Sequence, residues 1–374
     1  MTFFIFAAAP LLLSHLVLAD FGYDGTNGPS NWGEHYGECL GKYQSPIDIE
    51  DKDVTNATFP LLEFSDIDKP YEAVMTNNGH TVMIQASDTD VPTVSGGPLN
   101  DTYVFQQLHF HWGQNDNIGS EDLINNHSFS MELHAVFYKK TYGSYAEAMK
   151  QPDGLTVLGY LYQAADEPNP VFDTIVPQIP DIVALGSNVT INNPDVLSKL
   201  IAPDVESAQS YYTYKGSLTT PPCLEIVQWI DFTKPQPISH DQLAAFRKIQ
   251  SSDGSNLTHN FRPVQPLDGR VVYRNILDAT TTTSGVASTS TASGTSTTTS
   301  VSPSPTTKAS TVTAPTTAST TMKNTKTDAP ATVSSTTAGA PESKNGSQHS
   351  GQGRIWTISP VVVLFGIVFF LPYD

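Results

Sequence analysis

Two stretches of sequence decide how this chain folds: YVFQQLHFHW at residues 103–112 and FSMELHAVFY at residues 129–138. In both, residue character alternates with a period of two, as expected of β-strands, whose successive side chains point to opposite faces. Helical patterns are sparse, and the clearest begins at Ser239, which can form a capping box with Gln242. The apolar residues that follow are Leu243, Phe246 and Ile249. These patterns indicate that the centre of the domain is strand-like.

The alternation places two histidines on one face of the first strand. That face carries Phe105, Gln107, His109 and His111, and the opposite face carries Val104, Leu108, Phe110 and Trp112. In the second strand one face carries Glu132, His134 and Val136, and the other carries Met131, Leu133, Ala135 and Phe137. If the two strands are antiparallel neighbours, His134 converges on His109 and His111.

Three converging imidazoles are typical of a catalytic zinc site. Neutral ligands leave the full charge of the ion to acidify water, and three of them leave the fourth tetrahedral position open. A metal-bound imidazole needs its other N–H held, and Gln107 and Glu132 each lie two residues before a histidine on the same face. A His-x-His pair alone is often a surface or core feature, but the third histidine with its carboxylate favours a metal site.

Composition limits the function classes. The 374 residues include 19 Lys+Arg and 37 Asp+Glu, which gives a formal charge of −18. An acidic excess of this size repels phosphate backbones and argues against nucleic acid as a partner. With 39% hydrophobic residues the chain can bury a core, so it is not wholly disordered. Its 2 cysteines exclude a disulfide-rich scaffold and a four-cysteine zinc site.

The amino-terminal end has the pattern of a targeting segment. Residues 1–19 are apolar almost throughout and end in small residues before Asp20, which predicts a secretory signal peptide. The segment lacks a basic residue at its start, so an N-terminal membrane anchor is the alternative. Secretion agrees with six Asn-x-Ser/Thr sequences, at Asn56, Asn100, Asn126, Asn188, Asn256 and Asn345.

The carboxyl-terminal part predicts a stalk and an anchor. Residues 279–345 are rich in Ser, Thr and Pro, which predicts a disordered, O-glycosylated stalk. The apolar residues 355–371, about 17 in number, span roughly 25 Å as a helix, short for a bilayer core of about 30 Å. Asn345 begins a run of small residues, so residues 346–374 are predicted to be a glycolipid-attachment propeptide, with a transmembrane helix as the alternative. Attachment at Asn345 excludes its glycosylation. Residues 20–278 remain as one domain.

A series of motifs runs in order through residues 21–273. They are Gly28-Pro29-x-x-Trp32, Gln44-Ser45-Pro46-Ile47-Asp48, Asn77-Asn78-Gly79-His80, Gly96-Gly97-Pro98-Leu99, Gln107-x-His109-Phe110-His111-Trp112-Gly113, Gly119-Ser120-Glu121, Met131-Glu132-Leu133-His134, Gln151-Pro152-Asp153-Gly154-Leu155, Tyr214-x-Gly216-Ser217-Leu218-Thr219-Thr220-Pro221-Pro222-Cys223 and Phe261-Arg262-Pro263-x-Gln265-Pro266. In this order they resemble the α-class carbonic anhydrases, most closely their extracellular, membrane-anchored members. The resemblance implies an α+β, β-dominated fold with a large, mostly antiparallel twisted central sheet and short peripheral helices. It also implies reversible hydration of CO₂ to bicarbonate on a zinc hydroxide.

The resemblance assigns roles to residues by their matching positions. The Zn²⁺ ligands are His109, His111 and His134. The residues that hold these ligands from behind are Gln107, Glu132 and Asn260. Thr219 resembles the residue that accepts a hydrogen bond from the zinc-bound hydroxide while donating one to Glu121, and Thr220 offers a backbone N–H to bicarbonate. A threonine committed to a carboxylate can only accept, which turns the nucleophile toward its substrate.

The resemblance also implies paths for substrate and proton. The apolar wall for CO₂ consists of Val136, Val157, Leu218, Val227 and Trp229. His80 resembles a proton shuttle, and Tyr23 and Asn78 resemble residues that order the intervening water. Met83 stands where many family members carry a polar residue, a departure that bears on the efficiency of proton transfer.

Cys39 and Cys223 fall where the extracellular members carry their single disulfide. The bridge would also hold the loop that bears Thr219, and in the chain-entropy model it stabilises by roughly 4 to 5 kcal/mol. The alternative is two unpaired, buried thiols.

Three functional classes remain. The first is an active anhydrase on the extracellular face of the plasma membrane, acting on CO₂ and bicarbonate, inhibited by sulfonamides and held by a lipid anchor or a helix. The second is a catalytically silent, anhydrase-like binding domain, whose relatives usually lack a zinc histidine, whereas none is missing here. The third is an acidic adhesion or mineral-associated surface protein, which only the charge supports. The sequence favours the first.

Overall fold

The computed structural model describes residues 21–203 and 207–276. Outside them lie the predicted signal peptide (1–19), stalk (279–345), C-terminal segment (346–374) and anchor site Asn345. In this described part of the chain, no helix has both the length and the apolar character needed to cross a membrane.

Most regular structure in the described residues is β-strand. The strands are β1 (Asp48–Ile49), β2 (Thr55–Ala57), β3 (Glu63–Ser65), β4 (Ala73–Asn77), β5 (Val82–Ala86), β6 (Thr93–Ser95), β7 (Tyr103–Trp112), β8 (Leu123–Ile124), β9 (Met131–Lys139), β10 (Leu155–Ala165), β11 (Asn188–Ile191), β12 (Tyr211–Gly216), β13 (Val227–Phe232), β14 (Gln236–Ser239) and β15 (Tyr273–Asn275). The α-helices are α1 (Trp32–His35), α2 (Tyr145–Ala148), α3 (Val196–Ile201) and α4 (His240–Phe246). The short 3₁₀ helices are Gly25–Asn27, Pro29–Asn31, Gly37–Leu40, Lys140–Tyr142, Pro170–Thr174, Val176–Ile182 and Ser207–Gln209.

Within the described ranges, thirteen strands form one sheet. The main order is β11-β4-β5-β7-β9-β10-β13-β12-β15-β2, with β14 beside β10 and β6 beside both β3 and β7. Most neighbours are antiparallel, but β10 runs parallel to β13 and β14, and β15 runs parallel to β2. A separate parallel pair joins β1 and β8. The predicted large, mostly antiparallel sheet with short helices is confirmed.

The two stretches that predicted the fold are neighbours at the centre of this sheet. β7 has the predicted bounds, and β9 begins two residues later than predicted. They pair antiparallel, with His109 opposite His134 and His111 opposite Glu132. Since paired residues share a face of the sheet, this register brings the histidines together.

A β-bulge in β7 corrects the predicted face of two residues. The register with β9 shifts between Phe105 and Gln107, because Gln106 is an extra residue without an opposite partner. Phe105 therefore packs against Phe137 in the main core, with ring centroids 5.5 Å apart, and does not share the face of His109. Val104, opposite Tyr138, likewise does not share the face of Leu108. A strict two-residue alternation, read from the sequence, cannot reveal an inserted residue.

The two faces of the sheet have separate apolar clusters. The larger cluster includes Leu108, Phe110 and Trp112 from β7, and α4 covers them with Phe246, whose ring centroid is 5.1 Å from that of Phe110. The smaller cluster lies on the histidine face and includes Trp229. Because the larger cluster is closely packed behind β7, truncating Phe246 to alanine is expected to cost about 3–5 kcal/mol.

Helix α4 begins as its capping box predicted. The Ser239 hydroxyl accepts a hydrogen bond from the Gln242 N–H at 3.3 Å, and the Gln242 side chain accepts one from the Ser239 N–H at 3.0 Å. Leu243, Phe246 and Ile249 are all buried, although Ile249 follows the end of the helix.

Candidate metal centre

Three histidine side chains meet on the inner face of β7 and β9. Nitrogen atoms of His109, His111 and His134, one from each ring, all lie within 4.8 Å of one another. The ring centroids are 5.0, 5.4 and 4.5 Å apart. The two-residue repeat of β7 and the register with β9 therefore produce a compact set of three nitrogen ligands.

The two histidines of β7 are each oriented by an oxygen atom behind them. His109 Nδ1 lies 2.9 Å from Gln107 Oε1, and His111 Nδ1 lies 2.8 Å from the backbone carbonyl oxygen of Asn260. An oxygen acceptor at Nδ1 requires the proton there, so Nε2 of each ring keeps its lone pair. His111 Nε2 is buried and has no hydrogen-bond partner, as expected of an atom that can coordinate a metal ion.

His134 uses the opposite ring nitrogen. Its Nε2 lies 2.8 Å from Glu132 Oε1, which leaves Nδ1 for the centre. Glu132 Oε2 accepts the backbone N–H groups of Glu121 at 2.8 Å and Asp122 at 3.0 Å. The carboxylate that orients His134 is thus itself held by the loop before β8.

Burial keeps the three rings neutral. Burial is the main cause that lowers the pKa of His109 and of His111 well below the usual value for histidine, and the neighbouring histidines add to the effect. Burial also lowers the pKa of His134 to about 3. Neutral rings with free, converging nitrogens fit a transition-metal ion, and a set of three nitrogens is the pattern of catalytic zinc sites.

A buried carboxylate lies beside the three rings. Glu121 Oε1 accepts the backbone N–H of Arg262 at 2.7 Å, and Glu121 Oε2 is 3.4 Å from His111 Nε2. Burial raises the pKa of the Glu121 carboxyl well above its usual value, and the neighbouring Thr219 hydroxyl opposes this shift. Thr219, Glu121 and the histidine cluster are therefore neighbours.

The loop that carries Thr219 is fixed on both sides. Before it, the Ser217 hydroxyl accepts the N–H of Ser45 at 2.9 Å, and the Ser217 carbonyl accepts the indole N–H of Trp229 at 3.1 Å. After it, Cys223 forms a disulfide with Cys39, and its N–H donates to the Thr220 carbonyl at 2.9 Å. The predicted disulfide is confirmed, and it ends the Thr219 loop.

A cavity of about 220 Å³ opens onto His109 and His111. The other residues of its wall are Phe21, Tyr23, Asn78, His80, Thr81, Met83, Gln107 and Thr220. The predicted water-ordering residues and Met83 thus line one cavity with two of the three clustered histidines. A larger surface groove of about 770 Å³ along β12 and β15 includes none of the predicted catalytic residues.

The five apolar residues predicted for the substrate wall form part of the smaller cluster, beside the histidines. Val157 lies opposite both Val136 and Trp229 in adjacent strands, and the Trp229 ring centroid is 4.8 Å from that of His134. Val227 is buried in the same cluster, and Leu218 is packed against it. The residues nearest the metal centre on this side are therefore apolar.

His80 follows a tight turn at the rim of the cavity. Gly79 adopts a positive φ of 89°, and Asn78 Oδ1 accepts the N–H groups of His80 and Thr81, each at 2.9 Å. The imidazole of His80 stacks on the Phe21 ring, with centroids 3.9 Å apart and planes at 11°. Tyr23 is buried nearby, and burial raises the pKa of its hydroxyl well above the usual value.

Two contributions to the site were not predicted from the sequence. Phe21 lies far from His80 in the chain, and no local pattern signals their stacking. Arg262 acts on Glu121 through its backbone N–H, a contact that leaves no trace in residue type. Asn260, which the resemblance placed behind the ligands, does contact His111, but through its backbone carbonyl, while its side chain accepts from the Trp112 N–H at 2.7 Å.

The predicted glycosylation positions in the described residues lie on the surface. They are Asn56, Asn100, Asn126, Asn188 and Asn256, and all five are exposed. Their glycosylation stays a prediction.

The fold and the site together define a class: a protein with one large mixed β-sheet and, at the middle of that sheet, a cluster of three histidines able to hold a metal ion. A family model for eukaryotic-type carbonic anhydrase matches residues 27–276. Carbonic anhydrase 7 of Homo sapiens is 37% identical over 254 residues, which cover 64% of this chain and 91% of that protein. Carbonic anhydrase 3 of Equus caballus is 34% identical over 234 residues, covering 62% and 88%. Carbonic anhydrase 3 of Sus scrofa is also 34% identical, over 236 residues.

The chain belongs to the eukaryotic-type carbonic anhydrase family and is an enzyme of that family.

Proposed function

We propose that this enzyme catalyses the reversible hydration of CO₂ to bicarbonate and a proton, with Zn²⁺ held by His109, His111 and His134. One observation carries the proposal: three imidazoles present free nitrogens within 4.8 Å of one another, while the other nitrogen of each ring is bonded to an oxygen. Zinc held there would supply Lewis-acid chemistry that lowers the pKa of a water molecule to about 7, a chemistry for which carbonic anhydrases are themselves the reference case.

Thr219 and Glu121 orient the nucleophile. Glu121 Oε1 already accepts the Arg262 N–H, while the buried Oε2 has no hydrogen-bond partner and can accept the proton of the neighbouring Thr219 hydroxyl. The Thr219 hydroxyl oxygen can then only accept a hydrogen bond, which points a lone pair of the nucleophile toward CO₂. The disulfide and Ser217 hold the loop, so this orientation is preorganised.

The apolar cluster beside His134 receives CO₂. The substrate carries no charge and is best held by apolar side chains, which Val136, Val157 and Trp229 provide near the centre. The Thr220 backbone N–H, at the cavity wall, is available to the bicarbonate product.

His80 takes the proton out of the cavity. A group with a pKa of about 7 releases its proton to water at only about 10³ s⁻¹, because recapture approaches roughly 10¹⁰ M⁻¹s⁻¹. Histidine is the side chain whose usual pKa suits a faster transfer, and His80 lines the cavity together with Tyr23 and Asn78. The apolar Met83 on the same wall limits the hydrogen-bonding path for water.

The enzyme works at the outer face of the plasma membrane. The apolar residues 1–19, the exposed glycosylation sequences and the disulfide support secretion. Residues 279–345 then form a stalk, and residues 346–374 direct attachment of a lipid anchor near Asn345 or supply a transmembrane helix.

The catalytic proposal is tested by measuring CO₂ hydration by the purified full chain, with and without a sulfonamide. We expect hydration that scales with zinc content and is inhibited by the sulfonamide. A chain that retains stoichiometric zinc but does not hydrate CO₂ would instead support a silent binding domain.

The anchoring proposal is tested on intact cells. A phospholipase specific for phosphatidylinositol should release the enzyme into the medium. Retention after treatment, with residues 355–371 recovered as a peptide of the mature protein, would favour the transmembrane helix over the lipid anchor.

A further inference from the structure

A second buried cluster lies next to the histidine centre and consists of carboxylates. Asp122, Glu132 and Asp231 are 1%, 1% and 3% exposed, and one oxygen of each lies within 4.8 Å of the other two. Glu132 holds His134, but Asp122 and Asp231 have no part in the proposed reaction. Their burial together therefore requires its own explanation.

Hydrogen bonds do not account for the cluster. Asp122 Oδ1 accepts the Ile47 N–H at 2.8 Å and the Tyr214 hydroxyl at 3.4 Å. Asp122 Oδ2 and both oxygens of Asp231 are buried and have no hydrogen-bond partner. Ionised carboxylates only accept hydrogen bonds, so the three cannot satisfy one another.

Asp231 is aimed into the cluster through a gap left by a glycine. Gly159 of β10 lies opposite His134 on one side and Asp231 on the other. A Cβ atom at Gly159 would be 2.5 Å from Asp231 Oδ1 and 3.3 Å from Glu132 Oε1. Because Gly159 has no side chain, the unpartnered Asp231 carboxylate fits beside Glu132.

The charge of the cluster also lacks a protein partner. Among the residues that the structure describes, no Lys or Arg forms an ion pair with these carboxylates. Arg270 attracts Asp122 from a longer range, and its guanidinium donates to carbonyl groups, including that of Gln44 at 2.7 Å. Burying several uncompensated carboxylates is strongly unfavourable, so the cluster requires positive charge, supplied either by a bound cation or by protons.

We propose that Asp122, Glu132 and Asp231 form a second cation site, which binds a divalent cation that prefers oxygen ligands, as Ca²⁺ does. Carboxylate oxygens are the preferred ligands of such ions, in contrast to the nitrogens of the histidine centre. Ca²⁺ binds oxygen at about 2.3–2.6 Å, so ligand oxygens around one ion lie up to about 5 Å apart, which matches this cluster. A single shared proton joins two oxygens and leaves the third carboxylate unsatisfied.

The cation would connect three separate parts of the fold. Asp122 precedes β8, Glu132 lies on β9 and Asp231 lies on β13. It would also fix Glu132, and through it the orientation of His134. The site does not depend on CO₂ hydration, so either proposal can fail while the other stands.

The metal content of the full chain tests the site. The chain is purified from secreting cells in chelator-treated buffer, and calcium, manganese, magnesium and zinc per chain are measured by plasma mass spectrometry. A second sample is unfolded with a chelator, refolded with Ca²⁺ and measured again. We expect about one oxygen-preferring cation per chain in addition to zinc.

Variants assign the cation to this cluster. Asp231→Asn keeps the shape but removes one charge, and we expect at least a tenfold loss of calcium per chain. The matched control Asp173→Asn removes an exposed carboxylate and should keep the cation. His109→Ala should lose zinc and keep calcium, which separates the two centres.

Two results would overturn the proposal. The first is a wild-type chain that carries zinc alone, both as purified and after refolding with Ca²⁺. The second is an infrared band of a protonated carboxyl group that disappears in Asp231→Asn, since this would show that protons neutralise the cluster. The metal content of the wild-type chain decides the question even if the variant folds poorly.

Discussion

The three clustered histidines, His109, His111 and His134 (the floor histidines), each have one ring nitrogen 2.8 to 2.9 Å from an orienting oxygen, whereas His80 at the rim of the cavity stacks its ring on Phe21. A hydrogen bond to a ring nitrogen fixes both the direction of the ring and the nitrogen that carries the proton. Stacking fixes the plane of the His80 ring. The floor is thus built to hold an ion, whereas the role proposed for His80 at the rim is to pass on a proton.

This difference between floor and rim predicts two kinds of loss of activity. Loss of a floor histidine should remove the metal and all activity together. Loss of the rim histidine should leave the metal in place and slow one step of the cycle. Substitutions at the floor, beside the floor and at the rim can therefore be ranked by their expected effect.

The largest effect is expected for His134→Ala. The variant should lose stoichiometric zinc and CO₂ hydration together, because two ligands do not complete the site. Glu132 also loses its imidazole partner and becomes a less satisfied buried acceptor, which should destabilise the fold by about 1–3 kcal/mol. Zinc analysis, hydration assays and thermal unfolding measure the three effects.

The control for this variant is His127→Ala, which removes an exposed histidine. The control should keep zinc and activity. A His134→Ala enzyme with stoichiometric zinc and near-normal turnover would contradict the assignment of the floor.

A smaller effect is expected for Thr219→Ala. Zinc should remain, because the threonine lies next to Glu121 and is not a ligand. The rate of hydration should fall by about 10²- to 10³-fold, as for removal of one positioned hydrogen bond at a reacting oxygen. Thr219→Ser keeps the hydroxyl and should recover most of the rate. Equal losses in both variants would show that the hydroxyl has no orienting role.

The floor and the rim also differ in how much of each could be predicted from the sequence. The floor was accessible because strand alternation places Gln107 with His109, and Glu132 with His134, two residues apart on one face. The bulge at Gln106 was missed because an extra residue breaks that count locally. At the rim, the stacking of Phe21 on His80 depends on a chain segment distant in sequence, so it required the structure.

The effect expected for His80→Ala depends on the buffer concentration. In dilute buffer kcat should fall by about 10²-fold, at the lower end of what a positioned acid–base group contributes. The ratio kcat/KM for CO₂ should stay nearly constant, because the hydration step does not use His80. Added imidazole should restore kcat by carrying the proton in its place.

The informative measurement is the loss of kcat compared with the loss of kcat/KM. A parallel loss of kcat and kcat/KM in His80→Ala would indicate a structural role for the rim. An unchanged kcat in dilute buffer would show that the proton leaves by another route, past Met83 or through external buffer.

The smallest effect is expected outside the cavity, at His240. Burial lowers the pKa values of the floor histidines. His240, in contrast, is exposed, and its hydrogen bond to Asp116 raises the pKa of the imidazole. Asp166 and Asp241 add to this effect. Asp116 also binds Arg247 Nη2 at 2.6 Å, so His240→Gln tests the pair more cleanly than a change at Asp116.

The sign of the pH effect follows from the raised pKa. Folding favours the protonated imidazole, so the pair's contribution is fully present below the unfolded pKa of about 6.5 and is lost as the pH rises through the folded pKa. His240→Gln should therefore lower the Tm slightly near pH 6 and leave it unchanged near pH 9, because exposed ion pairs contribute little to stability. Thermal unfolding of both proteins across this range measures the difference. An equal change in Tm at both ends would show that His240 acts through packing, and that its charge has no part in stability.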